Sequence, residues 1–130
     1  MLLLENADVL NGVAGTASKI DFTVHGLVGT ILTQLGNGQL QGSIGALVTA
    51  SAKTVVSSIT LVNTHTAAIA VNLYITTGSG TRHIIPKDMQ LGAGYSMLFD
   101  GGKLSVMDAC GRIRNSVEIL KSYVNNSYVT

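Results

Sequence analysis

Charge is what this 130-residue sequence has least of. Lysine, arginine, aspartate and glutamate together make up 12% of it, against 46% hydrophobic residues, and the formal net charge is +1. So small a net charge argues against the strongly basic surface that binds nucleic acid. The surface must instead be largely Ser, Thr, Asn, Gln and Gly, which suits a protein held against neighbours better than a free enzyme at high concentration. Aromatic residues are scarce, at 5% with no tryptophan, so the ring platforms that favour sugar binding are few. A single cysteine, Cys110, excludes an internal disulfide framework and implies no export to an oxidising compartment. Long apolar runs are missing too. Met1-Leu2-Leu3-Leu4 is cut short by Glu5, Asn6 and Asp8, well below the apolar region of a signal peptide. Nothing approaches the ~20 apolar residues of a membrane span. The expectation is a soluble intracellular product, with neither nucleic acid nor membrane as partner.

What is present is alternation. In residues 54–75, TVVSSITLVNTHTAAIAVNLYI, apolar Val55, Ile59 and Leu61, then Ile69, Val71, Leu73 and Ile75, recur at every second position. That period places one apolar row on one face of each of two strands. Asn63-Thr64-His65-Thr66 between them is rich in side chains that stabilise turns, so the stretch reads as two adjacent antiparallel strands. Residues 2–10 read as a short first strand ending at Asn11-Gly12. Residues 17–25 put Ile20, Phe22 and Val24 on one face, with Gly26 ending the strand. Residues 27–49 hold too many glycines for a helix, each costing about 1 kcal/mol relative to alanine. Short strands and loops are expected there, with a tight hairpin turn at Gly36-Asn37-Gly38. Pro86 marks an edge or a bulge, because it has no N–H to donate. Later strands place Tyr95, Met97 and Phe99, then Leu104 and Val106, and finally Ile113, Val117 and Ile119 inward. Strands at roughly ten-residue spacing, separated by glycine turns, signify an all-β fold. The expected architecture is a single antiparallel β-sandwich, immunoglobulin-like or jelly-roll-like, over residues 1–120, with a C-terminal arm at 121–130 and extended terminal segments.

Chemistry is harder to find. His25, His65 and His83 lie far apart and none has a second ligand at metal-binding spacing. Cys110 has no identifiable base, and Asp100 and Asp108 precede glycines as turn formers do. The Gly78-Ser79-Gly80, Gly92-Ala93-Gly94 and Gly101-Gly102 segments lack the following helix and the lysine of a phosphate-binding loop. Arg112 and Arg114 share a strand face and could bind phosphate, but pairing with Glu118 or solvent is the commoner fate of such residues. No catalytic residue, cofactor or metal is expected.

The run D-G-G-K-L-S-V-M-D-A-C-G-R-I-R at residues 100–114, after Leu91-Gly92-Ala93-Gly94, resembles the C-terminal half of small virion proteins of tailed phages. In these, a Leu-Ala-Ala-Gly turn leads to an apolar strand, an Asp-Gly turn, and a strand ending in Asp-x-x-Gly-Arg. Residues 58–64, S-I-T-L-V-N-T, followed by Val71-Asn72-Leu73-Tyr74, are similar to the central hairpin of the same group. Asp8-Val9-Leu10 and residues 18–24 fit its beginning more loosely. The sequence departs in having Leu104 where an aromatic is frequent, and in its tail after Leu120. The resemblance implies a non-enzymatic subunit of the virion, present in multiple copies on capsid, neck or tail, with itself and other virion proteins as partners. A carbohydrate- or host-surface-binding module, using loop residues 76–82, is the alternative. Candidate contacts between subunits are Leu2 and Leu4 at one end, which read equally as the inward residues that begin the first strand, and Tyr123, Val124, Tyr128 and Val129 at the other, apolar side chains that flank an already complete core.

Overall fold

The computed structural model describes residues 2–100 and 103–114. The strands are β1 (Leu2–Leu4), β2 (Val9–Ala14), β3 (Ile20–Val28), β4 (Ile31–Gln39), β5 (Gly45–Thr49) and β6 (Thr54–Asn63). They continue with β7 (Ile69–Thr77), β8 (Gly80–His83), β9 (Met89–Leu91), β10 (Ser96–Asp100), β11 (Lys103–Met107) and β12 (Ile113–Arg114). Among the described residues there is no helix. A larger sheet runs β12-β11-β10-β6-β3-β4, with β1 also on β6; a smaller one runs β5-β2-β7-β8, with β9 also on β7. All the pairings are antiparallel. The inner faces pack together as a β-sandwich.

The core is built from the alternation visible in the sequence. Ile20, Phe22 and Val24 of β3, Ile59 and Leu61 of β6, Val71 and Leu73 of β7, and Met97 of β10 are all buried, with Phe99, Leu104 and Val106 packed against them. Residues 54–75, however, are not neighbouring strands of one sheet. β6 lies in the larger sheet and β7 in the smaller, so residues 64–68 form an arch from one layer to the other. Period two fixes which side chains face inward, but two strands facing each other across a core satisfy it as well as two side by side.

Other expectations are corrected by packing and bulges. The first strand is two strands in different sheets, β1 and β2, joined by a turn in which the Glu5 amide donates to Asp8 Oδ2 at 2.9 Å. Asn11-Gly12 lies inside β2, where Gly12 leaves room for Leu40, Leu47 and Leu73. Gly26 does not end β3: a Cβ there would fall on the Val55 carbonyl oxygen, so glycine allows close approach between strands. Gly36-Asn37-Gly38 lies within β4, and the hairpin turns at Gly29, whose φ is +63°. Val55 faces outward. The β3–β6 register moves from His25↔Ser58 to Gly26↔Val56, leaving Ser57 as an extra residue that reverses the alternation. Ser57 Oγ donates to the His25 carbonyl at 3.1 Å, bracing the bulge. Pro86 sits in the loop between β8 and β9. Ile113 is exposed instead of inward. The expected strand positions Val117 and Ile119 and the arm at 121–130 lie outside the described residues.

Candidate interaction surface

Strand register arranges the outer face of the larger sheet in rows. At one end Leu3 of β1 lies opposite Val55 of β6, Val55 opposite Leu27 of β3, and Leu27 opposite Leu32 of β4. Their partners on the inward side are Thr54, Val56 and Gly26, all buried, so these four side chains face out as an apolar row across four strands. Strands spaced about 4.8 Å apart give this row a length of roughly 14 Å. Leu3 is 48% exposed and Leu32 81%. Ile31, one residue earlier and on the other face of β4, is 70% exposed. The β3–β4 hairpin therefore ends in a tip that is apolar on both sides.

The diagonally opposite corner carries a second apolar patch. Ile113 of β12 pairs with Met107 of β11, which pairs with Ser96 of β10, and Ser96 with Val62 of β6. Leu98 sits one row in, opposite Ser105 and Thr60. Thr60, Ser96, Leu98, Ser105, Met107 and Ile113 surround a shallow depression of about 280 Å³ whose lining has no charged residue. Leu98, Met107 and Ile113 are 40%, 41% and 60% exposed. Between the two patches run polar rows, Thr60 beside Thr23, then Lys103, Asp100, Ser58 and His25.

The outer face of the smaller sheet is different in kind. Asn11 Nδ2 donates to Thr76 Oγ1 at 2.7 Å, and Thr76 shares a hydroxyl bond with Thr81 at 2.9 Å. Tyr74 and His83 lie ring against ring, centroids 4.5 Å apart. Asn72 exchanges two hydrogen bonds with Asp88, donating to its carboxylate and accepting from its amide. Polar groups here satisfy one another within the chain. The turn between β7 and β8, where the alternative reading places a glycan, has no aromatic side chain of its own.

Of the residues singled out in the sequence, Leu4 is fully buried in the chain's own core and so offers nothing to a neighbour. Leu2 is half-buried against the same core. Tyr123, Val124, Tyr128 and Val129 lie outside the described residues. Cys110 is exposed in the turn after β11, where its amide donates to Asp108 Oδ1 at 3.0 Å. Arg112 lies 4.0 Å from the same carboxylate. Among the described residues no three His, Cys, Asp or Glu side chains group as a metal site would, and no helix is long and apolar enough to cross a membrane. The residues that sequence reasoning missed are Leu3, Ile31, Leu32, Leu98 and Met107. Ile31-Leu32 did carry a signal, because two consecutive apolar residues in a strand must face opposite ways.

Comparison of the chain with protein-family models, with curated proteins and with solved structures finds no match. Its function has to be argued from the surface itself.

Proposed function

We propose that this chain is a non-enzymatic structural subunit of a tailed-phage virion, fixed in multiple copies to capsid, neck or tail through the open end of its larger sheet. The observation that carries this reading is β4. It is a nine-residue strand at the edge of the larger sheet, with no charge and no proline, and it ends in exposed Ile31 and Leu32. Soluble sandwiches ordinarily guard such edges with lysine, proline, a bulge or a very short strand, since an open edge templates pairing with other chains. Among the described residues β4 is guarded only by its bulge at Leu35 and by the close approach of Gly36 to the Leu47 backbone, and its apolar end at Ile31 and Leu32 suits a chain whose neighbours are part of its working state. The resemblance of residues 100–114 to small virion proteins supplies the setting.

Mass spectrometry of purified particles tests the proposal. A stoichiometric presence of the chain in particles is the expected result, and its absence from them overturns the reading.

A further inference from the structure

We propose that a slot between the edge strands of the two sheets, β4 and β5, anchors an extended peptide of a neighbouring virion protein by a single apolar side chain. This rests on the reading of the chain as a virion subunit and names the chemistry of the partner at the β4 edge.

β4 and β5 end their sheets on the same side of the sandwich. They close on each other at Gly36, where an added Cβ would lie 2.6 Å from the Leu47 carbonyl oxygen. Leu40-Gln41 closes the far end. There the Leu40 amide donates to the Ile20 carbonyl of β3, and the Gln41 carbonyl accepts from the Ala14 amide of β2, both at 2.9 Å. Between the two closures a slot of about 230 Å³ opens to solvent. It exists because its walls lack side chains: Gly38 lies opposite Phe22 of β3, and Gly45 opposite Gly12 of β2. A Cβ on Gly45 would find only the Ser43 carbonyl oxygen, 4.0 Å away. The buried Phe22 and Leu40 side chains form the floor, and no charged residue lines it.

Volume decides the size of the guest. At ~30 Å³ for each water-sized group, about 230 Å³ holds roughly seven heavy atoms, the side chain of a phenylalanine. That falls short of the ~300–1,000 Å³ of a cofactor or drug-sized site. The edge decides what carries the side chain. Because the Leu40 amide bonds to β3, the antiparallel alternation turns the backbone groups of Gly38 to β3 as well, and those of Asn37 and Gln39 to the open side. The Gln39 carbonyl takes the Gln41 side-chain amide at 3.2 Å. The Asn37 amide and carbonyl and the Gln39 amide have no backbone partner among the described residues. An extended peptide meets these groups as a further strand, its side chains pointing alternately outward and inward. The one opposite Gly38 enters the space that glycine leaves open. The bulge at Leu35 keeps this ladder short, so backbone bonds orient the peptide and the slot selects the residue. Such a contact has a dissociation constant on the order of 1 mM, and display in multiple copies strengthens it.

The test is an NMR titration of the full-length, isotope-labelled chain with two synthetic peptides, K-T-T-F-T-T-K and K-T-T-A-T-T-K, blocked at both ends. Threonine favours an extended chain, and the end lysines keep the peptides from pairing with one another. The first peptide should shift the amides of Asn37, Gly38, Gln39, Gly45 and Ala46 at millimolar concentration. The second should bind at least roughly tenfold more weakly, the factor expected for burying a large apolar side chain. Gly45→Leu fills the slot from within and should abolish the shifts. Its melting temperature should not fall, because Gly45 has no left-handed φ and open space beside it. No shift, shifts away from the slot, equal binding of both peptides, or a Gly45→Leu chain that still binds would each overturn the proposal. If Gly45→Leu fails to fold, the two peptides still decide, since they need only the wild type. A chain stoichiometric in particles that ignores the peptides would sink the slot and leave the virion role standing. One that takes the first peptide but is absent from particles would do the reverse.

Discussion

At one end of β6 sits Asn63, fully buried; near the other end project Ile31 and Leu32, almost fully exposed. Asn63 Nδ2 donates to the carbonyls of Ala67, Leu91 and Gly92 at 2.9–3.1 Å, and its Oδ1 accepts the His65 amide at 2.8 Å. Its backbone N–H also donates to the Tyr95 carbonyl. One side chain thereby ties the arch between β6 and β7 to the chain entering β10, supplying polar partners where the backbone leaves its ladders. The hairpin tip has no such device. Its turn is closed by the Val28↔Ile31 ladder pair, and the Gly29 amide adds one longer bond to the Lys53 carbonyl at 3.4 Å. Unpaired buried polar groups cost about 1–3 kcal/mol each, so the Asn63 end must be closed for the chain to fold at all. Exposed apolar side chains carry no comparable folding penalty, and the tip is free to serve contacts outside the domain.

Leu73 lies in the core between these ends and sets the scale. Leu73→Ala should destabilise by about 2–5 kcal/mol, since the side chain is wholly buried. A loss below ~0.5 kcal/mol in denaturant unfolding would mean the inward face of β7 is misassigned, because a one-residue slip exchanges faces. Asn63→Ala should come next, at about 2–4 kcal/mol, the range for stranding two or so of the four groups it serves while water reaches the rest. Asn63→Asp tests the same point differently, because a carboxylate cannot donate to the three carbonyls. If either variant melts like wild type, the closed end is not held by this side chain. Gly29→Ala is smaller. Its φ of +63° disfavours any side chain by about 1–2 kcal/mol, yet open space surrounds it. A cost near 1 kcal/mol with unchanged secondary structure is the expected result, and a neutral effect would show that the turn relaxes freely.

The difference between the two ends also explains what the sequence made legible. Alternation marked Ile59, Leu61, Val71, Leu73 and Met97 as core, because burial on one face of a strand leaves period two behind it. Partner strands stayed hidden, since β6 facing β7 across the core and β6 beside β7 produce the same pattern. Bulges hid as well: Ser57 and Leu35 are each an extra residue opposite β3, and nothing in their identity announces it. Glycine misled in both directions. Gly26 and Gly36-Asn37-Gly38 look like turns but lie in strands, at Gly26 because only hydrogen fits against the neighbouring backbone. The candidate contacts were sought at the chain ends, where apolar residues seemed surplus by position. Leu4 proved to be core, while Leu3 beside it joins Val55, Leu27 and Leu32 from further along the chain in one outward row, brought together by pairings no local pattern encodes.

The smallest expected effect on stability belongs to Leu32→Ser. At 81% exposure the side chain has little burial to lose, and surface substitutions away from packed features fall within about ±0.5 kcal/mol. Serine's weaker fit to a pleated strand works against it, on a scale that spans only ~1 kcal/mol and shrinks at an edge. Removing an apolar group from water in the folded state works the other way. The two nearly cancel, so the monomer's melting temperature should hardly move. Association should respond in the opposite sense, because a leucine buried in a partner contributes about 1.5–3 kcal/mol, or a factor of roughly 10–150 in affinity. The contrast separates the roles of the two ends: Asn63 variants should lose folding and Leu32 variants should lose only assembly. A Leu32→Ser protein that melted several degrees low while associating normally would place the tip in its own domain's stability and erase the distinction.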